Sequence, residues 1–254
     1  MKVVSITGIS SGVGATTVAA QLSSILATRK WHVIAFDFSP QNALRLHFGM
    51  KWEDGNGLIP NVLSGKPWNE AAYRCENGVD FLPFGKCGEQ EVAGFEHLLQ
   101  QEQDWLESRL GELEADDSTC ILIDCSHAGR AFRSQAHALS DLIFVVLEAD
   151  TLSYAALAES PPVFAPDHAG KVIYLLNGFD PTRELDRDIA ELLRVDIGVR
   201  MCPVTIHRDE SVREALASKL SLDAYAPYSQ ASDDFAALST WLVARLAHEE
   251  RRTP

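Results

Sequence analysis

With 254 residues and 46% hydrophobic content, the chain is long enough to form one large domain with a substantial core. Its formal net charge of −14 repels nucleic-acid phosphates and anionic lipid headgroups, which argues against a nucleic-acid partner and against electrostatic membrane binding. The longest basic cluster is Arg251-Arg252, and no apolar run is long enough to cross a membrane.

The N-terminus does not read as a signal peptide, because Thr7, Gly8, Ser10 and Ser11 break the apolar segment after Lys2. The five cysteines (Cys75, Cys87, Cys120, Cys125 and Cys202) are scattered and lack metal-ligand or redox spacing. That usage predicts a reducing cytoplasm.

In chain order, strands are predicted at Lys2–Thr7, His32–Asp37, Val79–Pro83, Cys120–Cys125, Leu142–Leu147, Lys171–Asn177 and Val199–Cys202. Most are consecutive runs of Val, Ile and Leu, the pattern of strands buried on both faces. Helices are predicted at Thr16–Lys30, Glu91–Leu113, Thr151–Glu159, Pro181–Val195, Glu210–Ser218 and Ser232–Glu249. The alternation predicts an α/β domain over 1–254, a doubly wound and mostly parallel sheet with helices on both faces. The stretch Lys51–Gly78, with its Asp54-Gly55-Asn56-Gly57 run, reads as a long excursion between the second and third strands. Ligands in such folds sit at the carboxyl ends of the strands, so the loops after Ile6, Phe36, Ile123 and Leu176 should share one site.

The first of these loops carries the clearest chemistry. A strand, a glycine-containing loop and then Thr16-Thr17 opening an alanine-rich helix form the layout of a phosphate-binding loop. Ser11, Gly12, Val13 and Gly14 offer backbone N–H groups to phosphates, and the helix N-terminus adds partial positive charge. Thr16 is placed to ligate Mg²⁺ and Thr17 to reach the α-phosphate. Asp37 ends an apolar strand and suits an outer-shell Mg²⁺ or water role, or the capping of the following helix. Asp124 ends CILID and can present a carboxylate to metal-bound water. Asn177 ends VIYLLN, where a carboxamide can read an adenine edge or form a turn before Gly178.

Together these residues resemble the MinD/ParA superfamily of dimerising ATPases. Ser10-Ser11-Gly12-Val13-Gly14-Ala15-Thr16-Thr17 stands where that family has K-G-G-V-G-K-T-T, and Asp37-Phe38-Ser39-Pro40-Gln41 where it has Asp-x-Asp-Pro-Gln. The segments SPQNALRL (39–46), DFLPFG (80–85), ADTLSYAAL (149–157) and PVTIHRDESVREALAS (203–218) are similar to the BcsQ branch, found in bacterial cellulose-synthase operons.

The resemblance implies an ATP- and Mg²⁺-binding subunit that forms a homodimer with nucleotide between the chains. It implies cytoplasmic partners of the BcsR and BcsE kinds and docking at an inner-membrane BcsA–BcsB synthase through protein contacts, without membrane insertion. The implied site residues are Ser10 to Thr17, Asp37, Asp124 and Asn177, with Pro203 and Ile206 against the base and ribose. Thr16, Asp37 and Asp124 would serve the metal, and Asp37 and Asp124 the chemistry.

The chain departs from this family where charge matters. Ser10 replaces the lysine that reaches across the dimer, Ala15 the loop lysine, and Ser39 the acid that orients water. The loss predicts weak or absent hydrolysis, since one cross-subunit cation contributes on the order of 10³–10⁵ in rate. Arg45, Arg130 and Arg208 are candidate replacement charges. Two other functional readings remain, a slow partner-stimulated ATPase and a nucleotide-free scaffold with a vestigial site.

Overall fold

The computed structural model describes residues 1–159 and 170–250; Arg251-Arg252 lies outside them. Its centre is a seven-stranded sheet of β1 (Lys2–Gly8), β2 (His32–Asp37), β3 (Tyr73–Arg74), β4 (Asp80–Leu82), β5 (Thr119–Asp124), β6 (Leu142–Leu147) and β7 (Val172–Leu176). The order across the sheet is β3-β4-β2-β5-β1-β6-β7, and every pairing is parallel except β3 with β4. Strands β5, β6 and β7 are buried at every position, as their unbroken apolar runs require.

The pleat sorts side chains onto two faces. One face carries Val4, Ile6, Leu122, Phe144, Val146 and Leu175 against α1 (Ala15–Thr28) and α11 (Gln230–Glu250). On the other, Phe36 and Ile123 meet Phe95 of α4 (Glu89–Gln101) and Phe132 of α6 (Arg130–Leu139), whose rings stack with centroids 5.5 Å apart. Leu147 and Leu176 continue that second face beneath α8 (Glu184–Ile197).

The remaining helices are α2 (Leu44–His47), α3 (Leu58–Leu63), α5 (Trp105–Gly111), α7 (Thr151–Glu159), α9 (Ser211–Ala217) and α10 (Leu222–Tyr225).

The structure corrects two sequence expectations and adds two elements that were not expected. The expected helix Glu91–Leu113 is two helices, α4 and α5, separated at Glu102–Asp104. There the Gln135 amide donates to the carbonyls of Leu99 and Glu102 and so satisfies the end of α4. Residues Val199–Cys202 form no strand. Val199 is wholly exposed, and only an isolated bridge joins Met201 to Tyr174. Helix α6 went unpredicted because its buried residues include Gln135 and His137, which blur the apolar period. The two-residue strand β3 is too short to carry an alternation signal.

Candidate nucleotide site

The carboxyl ends of β1, β2, β5, β6 and β7 converge on one cleft. Asp37 and Asp124 fall on the pleat positions that face α1, in phase with Ala35 and Leu122. Asn177 follows in the same phase after Leu175. Regular alternation along buried parallel strands thus places these candidate residues on the side from which the first helix departs.

The loop from Gly8 to Gly14 has the form of an anion cradle. Gly12 and Gly14 both adopt φ of +85°, a left-handed conformation that favours glycine. The backbone N–H groups of Ser10 to Gly14 have no protein acceptor among the described residues. No side chain caps α1, so its first-turn donors also face the cleft. The phosphate side of the cleft, about 240 Å³, is lined by Ser10, Gly12, Val13, Gly14, Ala15, Thr16 and Thr17, with Gln41, Ser126 and His127 across from them. Ser11 is exposed at the tip.

The Thr16 hydroxyl lies 3.0 Å from the Ser126 hydroxyl, beside the Asp124 carboxylate. Asp124 Oδ1 accepts the Ser126 N–H at 2.9 Å, whereas Asp124 Oδ2 is buried without a hydrogen-bond partner among the described residues. An unsatisfied buried carboxylate oxygen is costly unless a ligand group completes it. Asp37 is fully buried, and its two oxygens accept the N–H groups of Ser39 (2.9 Å) and Leu44 (3.1 Å). It therefore does cap α2, and its charge stands next to that of Asp124.

Burial, reinforced by the Asp124 charge, holds the Asp37 carboxyl well above the ordinary carboxylate range. Burial likewise raises Asp124, against the hydrogen bonds from Thr16 and Ser126. A divalent cation would reverse that logic, because its charge favours the ionised forms.

Mg²⁺ fits this donor set in one particular way. Among the described residues no group of three His, Cys, Asp or Glu side chains could hold a metal alone. Thr16 and a nearby carboxylate with an open oxygen suit a hard cation that takes its remaining ligands from water and nucleotide phosphates.

The base side of the cleft, about 430 Å³, is lined by Thr17, Glu148, Asn177, Gly178, Ile206 and Arg208, among others. The Asn177 amide donates to the Val13 carbonyl at 2.8 Å, tying this strand end to the phosphate loop. A Cβ at Gly14 would collide with that amide, so both the backbone angle and the contact demand glycine there. The segment after Pro203 is stitched along β7. Ile206 donates to Leu176, and its carbonyl accepts the Phe179 N–H. Ile206 is buried at the cleft, while Pro203 is exposed and is not among its lining residues.

The IHRDE run has a structural explanation. His207 pairs with Asp234 at 2.8 Å, and Asp209 accepts from Ser211 and Ala231. These bonds fix the base-side segment to α9 and α11.

The three arginines separate. Arg45 is buried, donates to the carbonyls of Trp52 and Asp54, and lies 4.5 Å from the Trp52 ring centre, so it holds the excursion in place. Arg130 is exposed on a different groove, beside Gln100 and Ser134. Arg208 alone of the three lines the cleft. Of the residues that replace charges, Ala15 is buried at 4% exposure and Ser39 at 0%, and the Ser39 hydroxyl has no hydrogen-bond partner among the described residues.

Sequence reasoning missed Ser126 and Glu148. Ser126 follows a strand-ending Asp by two residues, the spacing of an Asx turn, which could have marked it. Glu148 follows β6 with no local motif; only the strand order brings it beside Asn177.

A family model described as "Cellulose biosynthesis protein BcsQ" matches residues 1–243. The BcsQ protein of Escherichia coli (strain K12) is 29% identical over 255 residues, covering 100% of this chain and 98% of that protein. The chromosome partitioning protein ParA of Caulobacter vibrioides (strain NA1000 / CB15N) is 25% identical, covering 85% of this chain and 84% of that protein. Among solved structures, MinD of Pyrococcus horikoshii OT3 in complex with Mg-ADP superposes with a TM-score of 0.75 at 21% identity, covering 95% of each chain.

Proposed function

The chain belongs to the BcsQ family of cellulose biosynthesis proteins, within the MinD/ParA group of P-loop ATPases. From that premise we propose that it binds Mg-ATP and forms a homodimer with nucleotide held between the chains. The dimer then supports assembly, regulation or localisation of a cellulose synthase at the inner membrane. The observation that carries this reading is the pairing of an open phosphate cradle, with Thr16 beside the buried Asp124 carboxylate, and uncharged residues at 10, 15 and 39.

Each part has a physical role. The N–H groups of the loop and of the first turn of α1 receive the phosphates. Thr16, held by the Ser126 hydroxyl beside Asp124, would serve as the metal's protein ligand. Asp37 and Asp124 lie behind it, their ionisation favoured once a cation is present. When bound, magnesium would supply charge neutralisation along the phosphates. Asn177 holds the loop through Val13 and presents its remaining amide hydrogen and Oδ1 to the base. Ile206 offers an apolar surface for the ring system.

Ser10, Ala15 and Ser39 contribute no charge to a transition state, so hydrolysis is slow or absent. Arg208, exposed in the cleft, favours a second reading in which it substitutes for one lysine and permits slow, partner-stimulated turnover.

No helix among the described residues is long and apolar enough to cross a membrane. In α11, Phe235, Leu238, Leu242 and Leu246 are all buried, so this stripe is core packing. In this reading, attachment to the synthase and contact with BcsR- or BcsE-like partners run through protein surfaces.

Calorimetric titration of Mg-ATP with parallel gel filtration tests the proposal. Binding and an ATP-dependent shift to twice the monomer mass are expected, and Asp124→Ala should lose both. An unmodified chain with no nucleotide affinity and no such dimer would refute it.

A further inference from the structure

Glu148 is a cleft-facing acid with no assigned role. It follows Leu147 at the end of β6, and Leu147 pairs in register with Leu176 of β7. Because Val146 and Leu175 face α1, the next positions in phase are Glu148 and Asn177, side by side on the cleft face. A Cβ built on Gly178 would stand 3.0 Å from Glu148 Oε1, which places the carboxylate against the turn that follows Asn177. Both residues line the base side of the cleft.

The main-chain N–H of Glu148 donates to the Ser153 hydroxyl, which anchors its backbone to α7. Its carboxylate has no hydrogen-bond or ion-pair partner among the described residues, although it is half-buried. Burial pushes its pKa up; Arg208 opposes this, while Asp150 and Asp186 add to it. A half-buried, unpartnered acceptor beside a carboxamide oxygen calls for a ligand donor.

We propose that Glu148 is a specificity-determining residue that accepts a hydrogen bond from the exocyclic amino group of adenine. This rests on the nucleotide-binding reading above and names the group that selects the base. The alternative purine, guanine, carries an oxygen where adenine carries that amino group, and would set lone pairs against the carboxylate. Glu148 thus discriminates in both directions, by attraction and by repulsion.

The test is competitive binding of ATP, GTP and purine riboside 5′-triphosphate, each with Mg²⁺, to the full chain. The unmodified protein should prefer ATP over purine riboside triphosphate by about tenfold, the range of one hydrogen bond to a charged group, and should bind GTP most weakly. Glu148→Gln keeps the shape and gains a donor able to meet the guanine oxygen, so the ATP-over-GTP ratio should fall by about tenfold. Glu148→Ala, checked for an unchanged melting transition, should erase the preference over purine riboside triphosphate. Equal binding of ATP and GTP by the unmodified chain, or unchanged ratios in both variants, overturns the assignment. Binding of none of the three nucleotides overturns the assignment and the proposed function together.

Discussion

Asp37 and Asp124 are register partners at the carboxyl ends of adjacent strands β2 and β5, both buried and both held above the ordinary carboxylate range. Burial is the largest cause for each, and their mutual repulsion adds to it in Asp37. A pair of neighbouring buried acids is a liability in the empty protein and an asset beside a cation. The fold therefore stores unfavourable electrostatics where the proposed ligand would relieve it.

Asp124→Asn makes this conflict measurable. The asparagine oxygen can keep the Ser126 N–H bond, and its amide can meet Thr16. Without nucleotide, the variant should be more stable by about 1 kcal/mol, seen as a melting temperature roughly 2–4 °C higher. The same variant should bind Mg-ATP more weakly, by about tenfold or more. A lower melting temperature in the empty protein would contradict the electrostatic account.

The loop residues and strand-ending acids were legible in the sequence because each sits on a local pattern. An apolar run ends in a polar residue, or small residues precede a helix start. Six of the seven predicted strands formed for the same reason. Partnership was not legible. Nothing local says that Asn177 bonds the Val13 carbonyl, 164 positions away, or that Arg45 is spent on Trp52 and Asp54 while Arg208 reaches the cleft. Those facts depend on strand order, which places β6 beside β1 and β7 next to β6 although both come late in the chain.

Gly14 tests one such contact. With φ at +85° and the Asn177 amide against it, Gly14→Ala should destabilise the protein by about 1–3 kcal/mol. Adding Asn177→Ala removes the collision but leaves the backbone strain. The double variant should therefore be less destabilised than the sum of the two single variants, a non-additivity read from chemical denaturation.

Ser39 explains part of the lost charge. A third acid there would face two buried carboxylates, so Ser39→Asp alone should destabilise by about 2–4 kcal/mol. Ala15→Lys supplies a compensating cation at the mouth of α1. Combined with Ser39→Asp it should recover part of that stability and raise phosphate release above that of the unmodified chain. A combined variant as unstable as Ser39→Asp would show that residue 15 does not act on this cluster.

His47 predicts a pH window. It is half-buried next to the phosphate side of the cleft, and desolvation lowers its pKa from 6.5 to about 4. Below pH 6.5 the unfolded chain takes up a proton that the folded chain refuses. Its contribution to stability is therefore intact above pH 6.5 and is lost progressively down to about pH 4. His47→Gln should flatten that part of the stability profile, measured by denaturant titration at successive pH values. Asp37 and Asp124 work in the opposite sense, since their raised values make the folded state relatively more stable as pH falls. The difference between the His47→Gln and unmodified profiles isolates the histidine.

Native mass spectrometry of the purified chain with Mg-ATP tests the central claim most directly, because it reports oligomeric state and nucleotide together. The account predicts a dimer carrying two intact ATP molecules. A monomer without nucleotide, under conditions where the protein remains folded, would contradict it.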